Sequence, residues 1–114
     1  MKKVTMLSLL FMLTGVSACS ESDKQSQGTV SQGQLLWQEN CAVCHQQGLG
    51  GAPMIGNEKQ WGKRVTQGLP TLIEHALTGY SGETGEMPPR GGNENLTDEE
   101  VKLAVTYMVS KVQN

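Results

Sequence analysis

Aromatic residues are scarce in this chain: one Phe, two Trp and two Tyr among 114 residues. A small domain buries a limited core and often needs a staple besides. Histidine and cysteine are as sparse, two and three respectively. A tetrahedral zinc site would want a second ligand pair, and beyond Cys41, Cys44 and His45 only His75 and the early Cys19 remain. Basic residues are too few and too scattered for nucleic acid, which wants a clustered basic face. After position 18 there are seven of them against eleven acids, a net −4, and Lys63-Arg64 is the one adjacent pair. The same stretch lacks an apolar run long enough to span a membrane. No segment alternates as a half-buried strand should, and no internal repeat is found. Gly48-Leu49-Gly50-Gly51 is not followed by Lys-Ser/Thr and is no phosphate loop.

What is present begins with a leader. Met1-Lys2-Lys3 is basic, Val4 to Val16 is mostly apolar, and small residues run up to Ala18-Cys19. That order is a secretory signal, and its apolar run is short for a transmembrane helix. Val16-Ser17-Ala18-Cys19 resembles the lipobox of bacterial lipoproteins, in which the cysteine receives lipid and becomes the first mature residue. The other reading is a soluble export signal cut near Ala18. We expect a lipoprotein-type signal over 1–18, a flexible polar tether over 19–30 and one domain over 31–114.

Within that domain four helical segments fit between glycines. The first is expected over about Ser31 to Asn40. A second follows Asn57, an N-cap with Gln60 as its capping-box partner, and should stop at Gly68. A third starts near Pro70, buries Leu72, Ile73, Ala76 and Leu77, and ends at Gly79. The last opens on Thr97-Asp98-Glu99-Glu100, a capping box with acids in the first turn. Its apolar stripe is Val101, Ala104, Val105, Met108 and Val112. The loops Gly48 to Gly56 and Tyr80 to Asn95 are long and rich in Gly and Pro. Loops of that length in a small domain usually wrap something.

Cys41-Ala42-Val43-Cys44-His45 says what they wrap. Two thiols three positions apart, around one helical turn, can add to the two vinyl groups of haem, and the next residue is an imidazole for the iron. The spacing is a c-type haem attachment signature. A thioredoxin-like redox pair would want a preceding strand and a βαβ setting, which are lacking. A structural disulfide is compatible with the spacing but leaves the long loops without a role. A sixth iron ligand in such sites is usually a methionine sulfur. Met108 lies on the stripe of the last helix and reads as core. Met54 follows His45 by nine residues, too short a loop to pass easily round the ring. Met87 follows by 42 residues and sits in Glu86-Met87-Pro88-Pro89, where the prolines stiffen the backbone beside it. Met87 is therefore the expected ligand.

From Gly33 to Val112 the chain resembles class I c-type cytochromes, and within them the cytochrome c-five group. Gly33, Trp37 and Cys41 repeat the spacing of that family's first helix, and Tyr107 matches the aromatic of its last. The resemblance implies that these two helices cross closely. It implies that the Pro53 carbonyl, in Gly51-Ala52-Pro53, accepts a hydrogen bond from His45. Met87-Pro88-Pro89-Arg90-Gly91-Gly92 is similar to the family's methionine loop, and Trp61 and Leu72 to its pocket lining. Two features depart from the group: Asn93-Glu94-Asn95 carries none of the extra cysteines common there, and Met54 stands where a basic residue is frequent. His75, mid-helix beside Glu74, is expected on a solvated side, with ligation by it the weaker alternative.

The expectation is an all-α class I cytochrome c fold, about four helices around one covalent haem c. Cys41 and Cys44 would be the thioethers, His45 and Met87 the axial ligands, and Pro53, Trp61 and Leu72 the pocket. The chain would be a non-enzymatic carrier of single electrons between transient redox partners on the periplasmic side, anchored through lipid on Cys19. A five-coordinate enzyme or sensor, and a subunit fixed in a larger oxidase or reductase, are the rivals.

Overall fold

The computed structural model of the protein describes residues 32–112. The signal 1–18, the tether 19–30 and Cys19 lie outside the described residues. Five α-helices occur among them: α1 over 32–40, α2 Ala42–His45, α3 Glu58–Val65, α4 Leu69–Thr78 and α5 Asp98–Ser110.

The first and last helices cross at a glycine. A Cβ on Gly33 would stand 2.5 Å from the Leu103 carbonyl oxygen, so only hydrogen fits there. That approach brings Trp37 onto Tyr107, with ring centroids 5.9 Å apart. Trp61, Ala104 and Met108 complete this half of the core. The other half lies where α4 meets α5: Ala76 against Val101, Val105 and Val109, with Leu72, Ile73 and Met87 packed around them. Met108 is buried core, as its place on the stripe suggested.

Helix ends follow their side chains. At α5, Thr97 Oγ1 accepts from the Glu100 amide at 3.2 Å, and Glu100 Oε2 accepts from the Thr97 amide at 2.8 Å, a complete capping box. At α3 only half the expected box forms. Asn57 Oδ1 accepts from the Gln60 amide, but the Gln60 side chain turns away to accept from the Met54 amide at 2.8 Å. The helix also ends at Val65 rather than Gly68. Gly68, at φ 88°, reverses the chain and serves as the N-cap of α4 instead.

The sequence offered no strand, and two minimal ones occur. β1 (Tyr80–Ser81) pairs antiparallel with β2 (Glu86–Met87), Tyr80 opposite Met87. Two residues per strand leave no alternation to read. The class is unaffected: the chain is helical, with this short hairpin presenting Met87.

Candidate functional site

The site grows from the end of α1. Cys41 keeps its amide bond to the Trp37 carbonyl, and His45 bonds back to the Cys41 carbonyl at 3.0 Å. This turn, continued as α2, sets Cys41, Cys44 and His45 on one wall of a cavity of about 350 Å³. Trp61, Leu72, Ala76, Val105 and Met108 make other walls apolar, and Met87 lines the cavity as well. Its size falls within the usual range of ligand pockets.

His45 is 6% exposed. Its Nδ1 lies 2.8 Å from the Pro53 carbonyl oxygen. A carbonyl can only accept, so Nδ1 carries the proton and Nε2 keeps its lone pair. Burial lowers the imidazole pKa, and the bond to Pro53 opposes it more weakly. The neutral form, the one that binds metal, is thereby favoured. The Pro53 loop is itself pinned: the Ile55 amide donates to the His45 carbonyl at 2.7 Å, and Trp61 Nε1 donates to the Met54 carbonyl at 2.8 Å. Trp61 lies beside the imidazole, ring centroids 6.2 Å apart. Cys41 and Cys44 are free thiols. Burial pushes the Cys41 thiol up to about 11, with the Cys44 neighbour adding to the rise.

Met87 is half-buried at the end of the hairpin. All seven cavity candidates named from the sequence (Cys41, Cys44, His45, Pro53, Trp61, Leu72 and Met87) line this one cavity, whereas Met54 does not. One reading of the sequence is corrected. His75 is not on a solvated side: it is half-buried, lines the cavity and stacks on Tyr80 with centroids 4.0 Å apart. Its neighbour Glu74 does face solvent, and the one-residue step turns His75 inward. Arg64 also lines the cavity, bonding to the Gln60 carbonyl and, at 3.4 Å, to Thr84 Oγ1. No periodic signal marks Arg64 in the sequence.

The donor set fits a haem c: two thiols on one wall, an imidazole with a fixed tautomer, a thioether sulfur in the same cavity and apolar walls between. No helix among the described residues is long and apolar enough to cross a membrane.

Comparison with known proteins agrees with the geometry. The family described as Cytochrome C oxidase, cbb3-type, subunit III matches residues 28–108. The chain is similar to cytochrome c-555 of Chlorobaculum tepidum, 43% identical over 69% of this chain and 73% of that protein. It is also similar to cytochrome c5 of Ectopseudomonas mendocina, 32% identical over 61% of this chain and 78% of that one. Among solved structures, a chain from the crystal structure of an electron transfer complex of nitrite reductase with cytochrome c superposes with a TM-score of 0.63. It is 32% identical, over 71% of this chain and 94% of that one.

Proposed function

Since the chain belongs to the class I c-type cytochromes, close to cytochrome c5, and so carries one haem c and transfers electrons, we propose which of its residues hold that group and how. Cys41 and Cys44 form the two thioethers. His45, through Nε2, and Met87 would be the protein ligands of the iron. The observation that carries this is the gathering of both thiols, the buried imidazole and the Met87 side chain around a single apolar cavity.

When bound, the haem supplies a one-electron iron couple whose potential depends on its ligands and on burial. The Pro53 carbonyl holds the His45 ring in one orientation and one tautomer. Pro88, at φ −69° and ψ 155°, continues the extended backbone of Met87 and limits its freedom. Trp61, Leu72, Val105 and Met108 keep water from the cavity interior. With His45 and Met87 both given over to holding the iron, no position would be left for a substrate, which supports a carrier rather than an enzyme. Redox proteins are its partners, meeting it through brief encounters of small area. The leader places it on the periplasmic side, and lipid on Cys19 anchors it to a membrane.

A second reading rests on the match of residues 28–108 to an oxidase-subunit family: the chain could serve as a fixed subunit. Stable co-purification with a larger complex from native membranes distinguishes it from a shuttle. The deciding experiment for the ligands is a visible to near-infrared spectrum of protein matured with a haem-attachment system. A low-spin ferric spectrum with the sulfur-to-iron charge-transfer band is expected. A high-spin spectrum that shifts on adding carbon monoxide would mean an open iron and would overturn Met87 ligation.

A further inference from the structure

The two segments that bring His45 and Met87 to the cavity are tied to each other twice, once on each flank. On one flank the hairpin tip reaches the 3-10 turn Leu49–Gly51 that follows His45. Thr84 Oγ1 donates to the Gly51 carbonyl at 2.9 Å and accepts from Arg64. The backbones there touch: a Cβ on Gly51 would lie 1.7 Å from the Thr84 carbonyl oxygen, and one on Gly85 would lie 1.8 Å from that of Gly50. On the other flank Asn93 Nδ2 donates to Asn40 Oδ1 at 2.8 Å. Asn40 is fixed in turn by donating to the Leu36 carbonyl at 3.0 Å. A Cβ on Gly91 would meet the Asn40 carbonyl oxygen at 3.3 Å.

The pairing is symmetric in the chain. Asn40 and Gly51 bracket Cys41–His45, and Thr84 and Asn93 bracket Met87. Each bracket of the first segment bonds to one bracket of the second. Among the described residues no backbone–backbone hydrogen bond joins these two segments. Between the brackets runs Pro88-Pro89, which offers no amide hydrogens for such bonding. The direct ties between the two segments therefore lie at the brackets, while the hairpin and the α4–α5 core hold Met87 from its own side.

We infer that Thr84 and Asn93 are positioning residues that hold the Met87 segment shut against the Cys41–His45 segment, Thr84 through Gly51 and Asn93 through Asn40. This rests on the reading of Met87 as an iron ligand. Neither residue would be a ligand of the iron. Each acts on how often the Met87 segment swings away.

The test is imidazole binding to the ferric holoprotein, which requires that segment to open. Loss of one latch bond should raise the rate of imidazole binding about fivefold in Thr84→Val and in Asn93→Ala, and more in the double variant. Thr84→Ser keeps the hydroxyl and should stay within about twofold of the parent. A residue with only a general structural role would lower Tm and leave the imidazole rate alone. The near-infrared band is read first on the parent protein. If the parent lacks it, Met87 is not the ligand and the inference falls with that reading. If the parent has it and either single variant binds imidazole at the parent rate, the paired latches are wrong while Met87 ligation stands.

Discussion

Gly33→Ala changes one hydrogen to a methyl group, and its sign is what makes it informative. Gly33 lies inside α1, is buried, and has no positive φ. On propensity alone, alanine in a helix interior should stabilise by about 0.8–1 kcal/mol. The structure predicts the reverse. The new Cβ would sit 2.5 Å from the Leu103 oxygen and 3.1 Å from Tyr107 Cβ. A carbonyl and a Cβ of α5 cannot swing aside, which leaves one escape, separation of α1 from α5. Such overpacking costs about 1–3 kcal/mol. The net is ~1–2 kcal/mol of destabilisation, since the separation also loosens Trp37 from Tyr107. For a domain this size that lowers Tm by about 4–16 °C. Gly62→Ala in α3 is the control: nothing stands within 4 Å of its Cβ, and it lies inside a helix as well. It should raise Tm by about 4–8 °C. Both are read by thermal unfolding of the holoprotein. A Gly33→Ala variant as stable as the parent or more so would refute the close crossing.

The two tryptophans should respond differently to phenylalanine. Trp61→Phe removes one of the two donors to the Met54 carbonyl, which keeps the Asn57 amide, and should cost about 0.5–1.5 kcal/mol in denaturant titration. Trp37→Phe loses no hydrogen bond to a described residue, because Trp37 Nε1 has no partner among them, and should cost less. Met87→Ala should abolish the near-infrared band and lower the midpoint potential; an unchanged ferric spectrum would remove Met87 from the site. Acid should weaken α5 through Glu100, whose carboxyl is held below its ordinary 4.5 by the Thr97 amide first and the Thr97 hydroxyl second. A depressed folded pKa means stability is present above the unfolded value and lost as pH falls through the folded one. Thr97→Val removes the hydroxyl's share and should flatten the decline of Tm below about pH 4.5; an identical slope in parent and variant would count against it. Cys19→Ala should move the protein from the membrane fraction to the soluble one, and retention there would end the lipid-anchor proposal.

The parts of this molecule that were legible in its sequence are those with a short-range signature. Thr97 to Glu100 announced α5 because a capping box is local, and the stripe from Val101 to Met108 faces the core as drawn. The Cys41 to His45 spacing pointed to one wall of the cavity for the same reason. What stayed hidden depends on contacts far apart in sequence. The inward turn of His75 is fixed by how α4 lies against the hairpin, where Tyr80 covers it. The escape of the Gln60 side chain to the Met54 amide required knowing where that loop passes. The Thr84–Gly51 and Asn93–Asn40 bonds join loops with no period to read. Glycine hinted at them, since a side chain at Gly51 would collide with the facing segment and one at Gly91 would crowd it.

The crossing of α1 and α5 also bears on the order of events as the chain is made. Residues 33 and 103 lie near the two ends of the domain, so the contact closes a long loop and forms late. A ribosome releases α1 well before α5. Through that interval Trp37 has no Tyr107 to pack on, and the turn carrying Cys41 and Cys44 cannot settle into its finished wall. The thiols are then reachable by any machinery that must modify them.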